Sequence, residues 1–188
     1  METIRAIRVR RGWSQRVLAR RAGLSFRGVQ LLEAPGHDAR VSSLEHVVEA
    51  FGLPRNSVKR ALSGVLREPP DSLFSASLRI LEDGERSWRR HLMDCVDAAR
   101  RSQAVAGLET PPAAELSARL RALMAAVAET LAVQHGSGAP PWTSGVGSLE
   151  RPWFVSGYEN LKASALVESP VAFRSRNVFI LANFLDRV

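Results

Sequence analysis

The chain has 188 residues, 45% apolar and 24% charged, with 6% aromatics and a net charge of +7; this composition excludes a disordered chain and admits two small domains, each with its own core. A single cysteine, Cys95, excludes an internal disulfide and any multi-cysteine zinc site, and its helical setting reads as a small buried hydrophobe. The run METIRAIRVRRG lacks the apolar core of a signal peptide, and the uncharged stretch near 131–149 is broken by Gly and Pro, so a cytoplasmic protein without a membrane segment is expected.

Residues 3–66 read as a string of short helices with tight turns. Residues 1–67 hold thirteen Arg or Lys against five Asp or Glu, a local charge of +8, whereas residues 68–188 come to −1. A basic segment on an otherwise balanced chain is the electrostatic footprint of a polyanion partner, and double-stranded DNA is the simplest. Within the segment, Ser14 suits the N-cap of a helix starting at Gln15, with Val17, Leu18 and Ala22 facing inward. Gly23 permits a left-handed turn, and Ser25 can cap the next helix. Val29 and Leu32 then pack back on the first helix, leaving Phe26, Arg27, Gln30 and Leu31 at or near the outward face. This is helix-turn-helix spacing.

Through SQ..LA..AGLS....QLLE and the following SSLEHVVEAFGLP, residues 3–62 resemble the Cro/C1-type (XRE-like) helix-turn-helix proteins. The resemblance implies an all-α fold: a five-helix DNA-binding domain, here over 1–66, that reads the major groove with its third helix and binds as a homodimer to half-sites about one DNA turn apart. It puts Gln15 at the phosphate backbone, Phe26, Arg27 and Leu31 at the bases with Ser25 and Gln30 beside them, and Arg40 in a phosphate-contacting loop. Arg5, Arg8, Arg10, Arg11, Arg16, Arg20 and Arg21 add a basic surface, of which a few are expected to touch phosphate. The sequence departs from the pattern in three places. Gly28 falls inside the recognition helix, at a cost of about 1 kcal/mol against Ala. The link Ala34–Ser43 is long, and Phe26 and Leu31 are apolar, suited to a thymine methyl or to packing on the protein's own surface or on a protein partner.

REPPD, residues 67–71, reads as the linker, because two prolines end the preceding helix. Residues 72–188 are expected to form a helical partner-binding domain. Phe74, Leu78, Leu81, Trp88, Leu92, Val96 and Ala99 keep helical spacing to Gln103, as two helices or one interrupted near DGE at 83–85. A further helix is expected from an N-cap at Thr110, with a stripe of Leu116, Leu120, Leu123, Val127 and Leu131 and a stop at Gly136. GSGAPPWTSGVGSLERPW is a loop with Trp142 and Trp153 as anchors. Helical spacing resumes through Phe154, Tyr158, Leu161 and Ala165 until Pro170. The tail SRNVFILANFLDRV, read as a helix, has apolar residues around most of its circumference from Val178 to Val188. It is then either the central helix of the bundle or covered by another chain.

No catalytic residue, metal site or cofactor is expected. His37, His46, His91 and His135 are scattered, and no phosphate loop, GxGxxG or nucleophile elbow occurs. The region Trp153–Val188 is similar to the C-terminal part of helix-turn-helix antitoxins paired with nucleotidyltransferase-like toxins. That resemblance implies an autoregulating antitoxin that binds its own promoter and holds a toxin through Arg174, Arg176, Phe179 and Phe184. The alternative is a repressor whose helical C-terminal domain senses a small molecule or dimerises.

Overall fold

The computed structural model describes residues 4–102 and 105–186. These residues are mostly helical and fall into two units, Met1–Arg67 and Glu68–Val188. Val188 and Gln103 of the sequence reading lie outside the described residues.

Among the described residues the first unit contains five helices: α1 (Ile4–Arg10), α2 (Gln15–Ala22), α3 (Phe26–Leu32), α4 (Val41–Ala50) and α5 (Ser57–Arg67). Its core is small, with Leu18, Ala19, Ala22, Val29, Val47 and Phe51 buried and Ile4, Ile7, Trp13, Leu24 and Leu32 packed against them. The link after α3 is shorter than expected, because α4 starts at Val41 with Arg40 in the N-cap position. The carboxylate of Glu45 is buried, and its Oε1 accepts the backbone N–H of Lys59 at 2.8 Å, which satisfies one orphan donor at the start of α5. Helix α5 buries none of its own residues.

The boundary between the units falls after Arg67, so the expected linker is divided. Arg67 closes α5, whereas Glu68 accepts from Thr110 Oγ1, Pro69 O accepts from Ser72 N, and Pro70 O accepts from Arg79, all within the second unit. Then come α6 (Leu73–Asp83), α7 (Trp88–Ser102), α8 (Ala118–Gln134), β1 (Trp153–Phe154), α9 (Lys162–Glu168), α10 (Val171–Arg174) and β2 (Val178–Phe179). Gly84, at φ 88°, separates α6 from α7, so the interrupted stretch is two helices.

Helix α8 is the centre of this unit. Ala122 through Ala128 are buried without a break, which a helix achieves only when neighbours cover every side. Its cap is Ser117 rather than Thr110. Pro112 restricts Pro111 away from helical ψ, and the 111–116 stretch instead crosses α6, where Ser77 Oγ accepts from Ala113 N. Trp142 donates its indole N–H to Leu108 O at 2.8 Å, anchoring the loop after α8.

The C-terminal segment differs most from its helical reading. Helix α10 ends at Arg174, Asn177 takes φ 60°, and Val178–Phe179 form β2, which pairs in parallel with β1 through Trp153↔Val178 and Phe154↔Phe179. Val178 and Ile180 are buried and Phe179 is half-buried. This is the in-out alternation of a strand, and a Val-Phe-Ile run favours a strand on intrinsic grounds. The stretch after Phe154 runs through a turn into a short 3-10 helix at Glu159–Leu161, with α9 starting only at Lys162.

Candidate nucleic-acid interface

The α2–α3 pair is built by its caps. Ser14 Oγ accepts from Val17 N at 3.2 Å and Ser25 Oγ from Gly28 N at 2.9 Å. Between them Gly23 adopts φ 62°, and Leu24 N returns to Ala19 O at 2.9 Å, closing the C-terminus of α2. Val29 and Leu32 point into the core. At 100° per residue the exposed Phe26, Arg27 and Gln30 share the opposite side of α3, with half-buried Leu31 at its edge. The turn thus presents one coherent outward face.

That face is a mixed surface. Phe26 remains 42% exposed, and the Arg16 guanidinium lies over its ring at 5.6 Å from the centroid, so the ring packs on its own unit while still offering an edge. Arg27 and Gln30 are exposed and make no polar contact among the described residues. Ser25 is committed as a cap, which leaves its hydroxyl hydrogen free to donate. Arg40 is exposed and makes no side-chain cap bond. Gly28 has a local reason: a Cβ there would sit 3.2 Å from Ser25 Oγ, so its absence leaves room for the cap.

Gln15 is more constrained than the sequence implies. Its Nε2 donates to Glu33 Oε2 at 2.8 Å, and Glu33 is also gripped by Arg8 through Nε at 2.6 Å and Nη2 at 2.9 Å. Arg8 Nη1 further donates to Trp13 O. Arg8 is therefore buried structural charge, not DNA-facing surface. Burial raises the Glu33 carboxyl, but the hydrogen bonds from Arg8 and Gln15 and the Arg8 charge outweigh it and hold Glu33 below its ordinary value. One amide hydrogen of Gln15 stays available for a phosphate. Arg11 is also engaged, donating to Phe51 O and stacking on Trp13 and Phe51, while Arg21 covers Trp13 at 4.4 Å.

The four residues expected to bind a protein partner do not form one surface. Arg174 is exposed at the end of α10. Arg176 is buried, because it grips both carboxylate oxygens of Glu129 and donates to Ala172 O and Thr143 O. It forms a core ion pair and is not exposed to a partner. Phe179 is half-buried and stacks on Phe154 at 5.0 Å. Phe184 is also half-buried, against Trp88 and Phe173. The large apolar side chains this region exposes among the described residues are Tyr158, Leu166, Val167 and Val171, with Val167 at 82%. Their helical spacing resembles that of core residues, so nothing in the sequence distinguishes them.

Among the described residues no group of three His, Cys, Asp or Glu is placed to hold a metal ion, and no helix is long and apolar enough to cross a membrane. His46 is tied to Ala22 O and His91 to Asp83, and burial pushes the Cys95 thiol up to about 12, with Asp71 adding to the effect. Comparison with protein-family models, curated proteins and solved structures finds no match to the chain.

Proposed function

We propose that this protein is a DNA-binding transcriptional regulator whose first unit lays α3 into a major groove. The observation that carries the reading is the capped α2–Gly23–α3 pair, with Phe26, Arg27 and Gln30 on one outward face of a unit whose formal charge is +8. Arg27 is the base reader, through a bidentate bond to guanine; Phe26 meets a thymine methyl; Gln15 and Arg40 hold phosphates. Leu62, Val65 and Leu66 of α5 are exposed and give a second copy an apolar surface, in keeping with a dimer on two half-sites.

In the same reading the chain is the autoregulating antitoxin of a toxin-antitoxin pair and neutralises a nucleotidyltransferase-like toxin by direct binding through its second unit. Support comes from the exposed Tyr158, Leu166, Val167 and Val171, which lie in the part of the sequence that resembles such antitoxins. Fluorescence anisotropy on the chain's own promoter, titrated with salt, tests the first half. A steep loss of affinity with salt, near 0.9 logarithmic units per neutralised phosphate, is expected, and absence of binding at low salt overturns it. Co-expression with the neighbouring reading frame tests the second half. A complex that survives purification and is lost in Val167→Asp is expected, whereas no complex removes the antitoxin reading and leaves the DNA reading standing.

A further inference from the structure

The two strands run parallel, so their carboxyl ends point the same way: Val155 and Ser156 follow β1, with Val155 N still donating to Phe179 O at 3.0 Å, and Ile180 and Leu181 follow β2. A cleft of about 350 Å³ is lined by these residues and by Arg89, Arg90 and Met93 of α7, within the size range of sites for small organic ligands. Its floor is apolar, formed by Met93, Val155, Ile180, Leu181 and Phe184.

Besides Arg89, two charged side chains line the cleft, Arg90 and Asp186, and each is already in an ion pair. Arg90 pairs with Asp83 at 2.7 Å, and Asp186 pairs with Arg100 at 3.2 Å. Arg89 makes no ion pair among the described residues, and its guanidinium lies 5.8 Å from the ring centroids of both Trp88 and Phe184. The guanidinium lies near both ring faces at the mouth, and its N–H groups remain open to an incoming acceptor. The cleft thus joins an apolar floor to one uncompensated positive charge.

We propose that this cleft binds a small amphipathic monoanion, an apolar body carrying one carboxylate, with the body on Met93, Ile180 and Phe184 and the carboxylate on Arg89. This site is independent of DNA reading and of toxin binding, and it gives the second unit a ligand-sensing role beside its protein partner.

Isothermal titration calorimetry on the full chain tests it, with decanoate as the probe and decanol as its uncharged counterpart. Saturable binding of one decanoate per chain is expected, accompanied by a change in tryptophan emission because Trp88 stacks on Phe184. Arg89→Gln, an exposed change that leaves the core untouched, should weaken decanoate about tenfold and leave decanol unaltered. Leu181→Trp should fill the cleft and remove both. Unsaturable binding, or decanoate affinity that is the same in Arg89→Gln as in the unaltered chain, overturns the proposal whether or not Leu181→Trp folds.

Discussion

Each unit holds a buried arginine in the grip of one glutamate, Arg8 with Glu33 in the first and Arg176 with Glu129 in the second, and the surroundings of the two pairs differ in kind. Arg176 spends its remaining donors on the backbone carbonyls of Ala172 and Thr143, so that pair ties α8, α10 and the loop after α8 into one body. Glu33 spends its remaining capacity on Gln15, a side chain at the start of α2 that stands at the proposed phosphate contact. One clamp is purely architectural; the other also positions a residue of the candidate interface. The arginines that remain for ligands are those left without a carboxylate, such as Arg27 in the first unit and Arg89 in the second.

The sharpest way to break this comparison is Arg176→Ala. It strands Glu129 in a largely buried position, and removing one partner of a buried pair costs about 3–5 kcal/mol. Thermal melts followed by tryptophan emission should show the second unit unfolding at much lower temperature; an unchanged melt would mean that the pair is solvated. Glu33→Gln is expected to cost less, about 1.5–3 kcal/mol, since the amide oxygen still accepts from Arg8. It should also weaken promoter binding by loosening Gln15, whereas Arg176→Ala tested below its melt should not.

Acid separates the two clamps from the rest of the charge network. Both Glu33 and Glu129 are held below the ordinary carboxyl value of 4.5, the arginine hydrogen bonds outweighing the opposing effect of burial. A carboxyl that titrates lower in the folded chain than in the unfolded one contributes fully above the unfolded value, and the contribution disappears as pH falls through the depressed one. Stability is therefore expected to hold from neutrality down to about pH 4.5 and to fall below it. Glu33→Gln should flatten that fall for the first unit alone, read by hydrogen exchange of α2 and α3.

The sequence made the first unit legible because its signals are local: caps at Ser14 and Ser25, a left-handed Gly23 and an apolar stripe lie within one turn of the structure they specify. The outward face of α3 follows from the same spacing. The two clamps were not legible, since Arg8 and Glu33 lie 25 positions apart and Glu129 and Arg176 lie 47 apart, and an arginine carries no local sign of whether it will meet a carboxylate. The tail misled for a different reason. Val178, Phe179 and Ile180 are consecutive and apolar, which periodicity alone leaves ambiguous between strand and buried helix; the left-handed Asn177 and the pairing partner Trp153 decide it. Long-range pairing also hid the cleft, whose walls come from α7 and from both strand ends.

Arg27→Ala bears on the unpaired half of the comparison. The side chain is exposed and makes no polar contact among the described residues, so stability should stay within about 0.5 kcal/mol. Promoter affinity should drop by about 1–3 kcal/mol, with relaxed preference at one base pair and a smaller change on random DNA. An equal loss on every sequence would make Arg27 a phosphate contact instead of a base reader.

Gly28→Ala should have the smallest effect, and its sign separates two accounts of α3. If Gly28 only loosens α3, alanine stabilises the first unit by about 1 kcal/mol and tightens promoter binding. The geometry argues otherwise. The new methyl would meet Ser25 Oγ at 3.2 Å, the atom that accepts from the backbone N–H of residue 28 itself, and displacing a serine cap costs about as much as the alanine gains. The two terms oppose each other on the same turn, so a net change within about 0.5 kcal/mol is expected in chemical denaturation. Pairing the change with Ser25→Ala isolates them: without the hydroxyl there is nothing to crowd, and alanine at 28 should then stabilise by its full helix propensity. A Gly28→Ala gain of the same size with and without Ser25 would mean that the glycine does not serve the cap.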